Sequence, residues 1–98
     1  MQPAARVGDR HTCEMADPDG VPHVGGPIKG PGAATVFIGG FRAAVRGDTC
    51  LCTGDGSMDT ILGGSQTVFI EGRLAARRGD ITAHGGAIDG GDPTVLIG

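Results

Sequence analysis

Three positions in this chain share a spacing that suits metal binding. Cys13 stands four residues past Asp9, Cys52 four past Asp48, and His84 four past Asp80. Thiolates and imidazoles are the usual ligands of zinc, and ligands distant in sequence meet when the segments that bear them are related by symmetry. Three further groups crowd the same region. His11 and Cys50 lie two residues past Asp9 and Asp48, so on a strand they share a face with Cys13 and Cys52. His23, in His23-Val24-Gly25-Gly26-Pro27-Ile28, echoes His84 in His84-Gly85-Gly86-Ala87-Ile88. A structural zinc site takes four such ligands in a closed tetrahedron and contributes folding free energy directly. The residues by themselves leave open which of these groups are used. The spacing is not that of a zinc finger, and Cys50-Leu51-Cys52 is too tight to be half of one.

The elements that must position these groups recur as well. Pro3-Ala4-Ala5-Arg6-Val7-Gly8-Asp9, Ala43-Ala44-Val45-Arg46-Gly47-Asp48 and Ala75-Ala76-Arg77-Arg78-Gly79-Asp80 open three units. Thr35-Val36-Phe37-Ile38, Thr67-Val68-Phe69-Ile70 and Thr94-Val95-Leu96-Ile97 close them. This order predicts a single domain over residues 1–98 with repeats at about 3–40, 41–72 and 73–98. β-Branched residues and Phe favour strands, while Gly-Gly pairs interrupt helices. No window sustains the helical apolar spacing. The expectation is an all-β chain of short strands and tight turns, with at most one turn of helix near Asp59–Leu62.

Alternation along the closing tetrapeptides separates two faces. Val36 and Ile38, Val68 and Ile70, and Val95 and Ile97 point one way. Thr35 and Phe37, Thr67 and Phe69, and Thr94 and Leu96 point the other, and that second face is also apolar. With three Phe, no Trp, no Tyr and 20 Gly, the chain has few large side chains to cover it. A partner protein is therefore expected on that face.

Composition excludes several classes. With 8 basic and 11 acidic residues, a net charge of -3 and no Tyr or Trp for stacking, the chain offers no nucleic-acid surface. Its apolar runs are too short to span a bilayer as helices. The N-terminal MQPAARVGD lacks the basic-then-apolar pattern of a secretory signal, which predicts a cytoplasmic start. Arg46-Gly47-Asp48 and Arg78-Gly79-Asp80 spell an adhesion tripeptide, but their place in the repeat predicts a turn closed by a capping carboxylate. No nucleophile–base pattern appears, so no enzyme is expected. A metalloenzyme and a free-standing zinc-stabilised binding module are the competing readings.

Pro3-Ala4-Ala5-Arg6 with its degenerate copies, His84-Gly85-Gly86, and the recurrent Thr-Val-(Phe/Leu)-Ile endings resemble the PAAR-repeat family over essentially the whole chain. In the second and third units Arg42 and Leu74 stand in place of the motif's Pro. The resemblance implies a small cone of three pseudo-repeated units with zinc near its apex. It also implies a role as the tip of a type VI secretion spike. The broad base of such a tip sits on a trimeric VgrG-type protein, one copy per trimer, and effector cargo and transient contact with a target membrane follow from that role. Delivery from the producing cell is then by the secretion apparatus. The family's ligand set implies His11, His23, Cys52 and His84 as the metal site, with Cys13 the alternative to His11. The docking base falls to Thr35, Phe37, Thr67, Phe69, Thr94 and Leu96.

Overall fold

A computed structural model describes residues 1–13, 25–52 and 58–98. Among these the chain is all β: β1 (Gln2–Ala4), β2 (Ile28–Gly30), β3 (Phe37–Ile38), β4 (Phe41–Arg42), β5 (Thr49–Leu51), β6 (Met58–Thr60), β7 (Phe69–Ile70), β8 (Arg73–Leu74) and β9 (Asp92–Ile97). Asp59–Leu62 forms no helical turn; its first two residues lie in β6, where Asp59 pairs with Cys50 of β5. Only the second halves of the first two closing tetrapeptides are strand, whereas β9 takes in the whole of the third.

The strands are short because the body is held by hydrogen bonds between units. Ala5 N–H donates to the Ala76 carbonyl, Ala76 N–H to Ala44, and Ala44 N–H to Ala5, each at 3.0 Å, closing a three-sided ring. The next layer repeats the pattern: Val7 N–H to Arg42 O, Arg46 N–H to Leu74 O and Arg78 N–H to Pro3 O, each at 2.9 Å. Such a ring demands a small residue at each corner, and Ala5, Ala44 and Ala76 are all buried. The principal extents, 40 × 22 × 22 Å, give one long axis and two equal short ones.

Three outer hairpins flank the ring. Phe37 pairs with Arg42 across β3–β4 and Phe69 with Leu74 across β7–β8. The third pair is made by the two ends of the described chain, where Leu96 of β9 faces Pro3 of β1. The Pro3, Arg42 and Leu74 positions are thus equivalent. Ile38, Ile70 and Ile97 turn inward to join Ala4, Ala43, Ala75 and Val45 in one apolar cluster, against which Val36 and Val68 pack. Val95 is more open. A second cluster stacks Ile28, Ile61 and Ile88 around the alanine ring with Cys50.

The Gly-Asp turns explain the adhesion-like tripeptides. Gly8, Gly47 and Gly79 have φ of 99°, 94° and 94°, which a side chain disfavours. Each following aspartate caps its own turn: Asp9, Asp48 and Asp80 Oδ2 accept from the N–H of Arg6, Val45 and Arg77 at 2.8, 2.9 and 2.7 Å. The carboxylates serve the backbone, as their place in the repeat predicts.

Candidate metal centre

Past each capping aspartate the chain runs on along the axis. Two residues further lie His11, Cys50 and Thr82, all buried. Four residues further, Cys13, Cys52 and His84 converge, with their three ligand atoms all within 4.8 Å of one another. Cys13 Sγ lies 2.8 Å from Cys52 Sγ and 3.6 Å from His84 Nδ1. Cys52 is buried, while Cys13 and His84 are partly exposed.

Two thiols and an imidazole suit zinc or another borderline ion. With metal–sulfur bonds of about 2.3 Å and metal–nitrogen bonds of about 2.0 Å, ligand atoms on a tetrahedral edge stand roughly 3.5–3.8 Å apart. The Cys13–His84 distance fits that edge; the sulfur pair is tighter and must open to admit an ion. The donor set therefore fits a metal, which Cys13, Cys52 and His84 would hold.

Close backbone approach places these segments. A Cβ on Gly86 would lie 1.8 Å from the Thr12 carbonyl oxygen, and one on Gly25 would lie 1.8 Å from that of His11. Glycine at these two positions lets the segment bearing His84 and the segment preceding β2 press against the His11–Cys13 strand. His23 lies outside the described residues.

His11 is placed differently from Cys13. Its Nδ1 lies 2.8 Å from the Gly26 carbonyl oxygen, which can only accept. Its Nε2 lies 3.2 Å from Asp59 Oδ2, with both side chains fully buried. These two atoms are not aligned as a hydrogen bond. A carbonyl only accepts, so Nδ1 carries the hydrogen given to Gly26. Burial opposes ionisation of Asp59. The Thr82 hydroxyl, the N–H groups of Thr60 and His84, and the charge of His84 outweigh it and hold the carboxyl below its ordinary range. The backbone bonds are firm, at 2.8 Å from Thr60 and 3.0 Å from His84 to Oδ1. Asp59 thus anchors the backbone of a candidate ligand and also lies 4.0 Å from its Nδ1.

Asp59 did not stand out from the sequence, although a signal is present. It occupies the position two before Ile61 that Gly26 holds before Ile28 and Gly86 before Ile88. A carboxylate where the other units have glycine must project into their shared interior. Cys50 lies outside the ligand group; burial, then the charges of Asp59 and Asp48, push its thiol up to about 12. At neutral pH it is an apolar core group.

The docking candidates lie apart from the cluster. Phe37, Phe69 and Leu96 are 58%, 60% and 50% exposed, whereas their neighbours Ile38, Ile70 and Ile97 are buried. Thr35, Thr67 and Thr94 are exposed on the same segments. Thr35 is bonded to Glu71 and Thr94 to Asp92.

The fold and the site together define a small all-β protein with a Cys/Cys/His group able to hold a metal ion. Residues 18–90 match the family described as PAAR motif, and the chain belongs to that family. No curated protein matches it.

Proposed function

We propose that this protein is the non-enzymatic tip of a contractile type VI secretion spike, seated as one copy on a trimeric VgrG-type partner. The observation that carries this reading is the set Phe37, Phe69 and Leu96. One such residue sits on each outer hairpin, exposed, beside an isoleucine that fills the interior. Family membership supports it, as does the three-sided ring of backbone bonds. A three-fold partner presents the same surface three times, and a single chain meets it best with three similar faces.

In this reading the body is a small cone. The apolar hairpin residues form its docking base, with Thr35, Thr67 and Thr94 at the rim. Burying each exposed Phe stabilises the junction by roughly 1.5–3 kcal/mol. At the other end Cys13, Cys52 and His84 hold zinc, with His23 the proposed fourth ligand. When bound, the ion ties three units of a thin-cored protein into one closed structural site. The tip then needs no catalysis. It stiffens the spike for crossing a membrane, leaves the producing cell with the apparatus, and carries cargo.

Mixing the purified chain with a purified VgrG-type trimer tests the reading. Light scattering on the eluted complex should give one chain per trimer. Absence of a complex at micromolar concentrations, or three chains per trimer, overturns it.

A further inference from the structure

We propose that the second unit carries a groove for an extended protein segment presenting an apolar side chain beside a carboxylate, and that this partner binds in a single copy. The groove, of about 590 Å³, lies between the Arg46-Gly47 turn, the end of β6 and the β7–β8 hairpin. Leu62 lines it and is exposed, so an apolar surface faces solvent; Phe69, which also lines it, belongs to the proposed docking base. Arg46 and Arg73 also line it, both exposed.

The charge of this groove is unmatched. Among the described residues no acidic group lines it, although the chain carries a net charge of -3. Among the described residues neither Arg46 nor Arg73 makes an ion pair. Arg6 and Arg77, three residues before the aspartates of the other two turns, are spent internally: Arg6 is held to Asp9 at 3.0 Å and Arg77 to Asp80 at 2.8 Å, while the positions equivalent to Arg46 are Val7 and the exposed Arg78. The second unit has Val45 at the position of Arg6 and Arg77, and Asp48 Oδ1 accepts from the N–H of Gly32. A carboxylate supplied from outside would meet guanidinium groups free to bind it in a forked, charge-assisted geometry.

The groove also breaks the likeness between units. The residue after Ile61 is Leu62, but the residues after Ile28 and Ile88 are Lys29 and Asp89. The hairpin residue opposite Ile70 is Arg73, but those opposite Ile38 and Ile97 are Phe41 and Gln2. An apolar floor between two cations therefore occurs once. A three-fold partner repeats one surface and cannot use such a feature three times, whereas a partner in one copy can. Only this point of stoichiometry rests on the spike-tip reading; the chemistry of the groove does not.

The probe is a blocked six-residue peptide alternating glutamate with leucine or valine, titrated into the isotope-labelled full chain and followed by NMR. Saturable shifts are expected at the backbone amides of Arg46, Leu62 and Arg73. Affinity should fall at least about tenfold when glutamine replaces glutamate. The shifts should vanish in the Arg46→Glu/Arg73→Glu variant, whose circular dichroism and metal content stay unchanged because both side chains are exposed and unpaired. No saturable shift at these amides up to millimolar peptide, or shifts that survive the charge reversal, overturns the proposal. The same variant is then offered to the VgrG-type trimer. Retained capture is expected; lost capture would put the groove in the trimer interface and overturn the single-copy partner. If the unaltered chain also fails to bind the trimer, the spike-tip reading falls, and the peptide titration alone decides the groove.

Discussion

Asp59 and His11 form a fully buried pair, with Oδ2 3.2 Å from Nε2, directly beneath the Cys13–Cys52–His84 group. They come from different units, so the contact joins two parts of the chain. Removing one partner leaves the other buried and uncompensated, which costs about 3–5 kcal/mol. Asp59→Asn and His11→Leu should each lower stability by that order in urea unfolding. The double variant should cost clearly less than the sum of the two. Strict additivity would mean that the two side chains do not interact.

Metal content should separate Cys13 from His11. Cys13 lies in the ligand group, while His11 is committed to Gly26 and Asp59. Elemental analysis should find one zinc per chain, lost in Cys13→Ser and retained in a folded His11 variant. The reverse outcome would return the site to the ligand set implied by the PAAR resemblance.

Phe37→Asp combined with Phe69→Asp should abolish capture by a VgrG-type trimer, with the far-ultraviolet spectrum and metal content intact. Both rings are more than half exposed, so charge at these positions does not enter the core. A double variant that still caps the trimer places the docking base elsewhere.

Glu71 predicts an acid dependence. Its carboxylate accepts from the Thr35 hydroxyl, from Thr35 N–H at 2.8 Å and from Ala34 N–H at 3.3 Å, joining the second hairpin to the first unit. These bonds, the Thr35 hydroxyl foremost, hold the carboxyl below its ordinary range. A depressed folded value means the contribution is complete above the ordinary glutamate value and fades as pH falls through the folded one. The difference in melting temperature between the unaltered chain and Glu71→Gln should therefore be constant near neutrality and shrink in acid below about pH 4. A difference that holds into strong acid would show that Glu71 acts otherwise.

Gly86→Ala and Gly79→Ala should differ in cost and in kind. A Cβ at Gly86 meets the Thr12 carbonyl oxygen at 1.8 Å, forcing apart the segments that carry Cys13 and His84. At Gly79 nothing lies within 4 Å, and only its φ of 94° opposes a side chain. Gly79→Ala should cost about 1–2 kcal/mol with metal affinity unchanged. Gly86→Ala should cost more than about 3 kcal/mol and weaken metal binding. Thermal unfolding with and without a chelator distinguishes the two.

Local chemistry made part of this structure legible in the sequence. The Gly-Asp turns follow from a backbone conformation that favours glycine and from a carboxylate that caps its own loop. Phe37 outside and Ile38 inside follow from strand alternation. The equal spacing from Asp9, Asp48 and Asp80 already aligned Cys13, Cys52 and His84. What spacing could not decide was the choice between His11 and Cys13, two residues apart on one strand face and equally able to bind a metal. Tertiary packing brings Cys13 together with Cys52 and His84 and sets His11 against the buried carboxylate of Asp59, which stands where the other units have glycine. The pairing of β1 with β9, and the inter-unit ring at Ala5, Ala44 and Ala76, likewise depend on partners far apart in the chain. Such contacts exist only once distant segments of the chain come together, and no local pattern of residues encodes them.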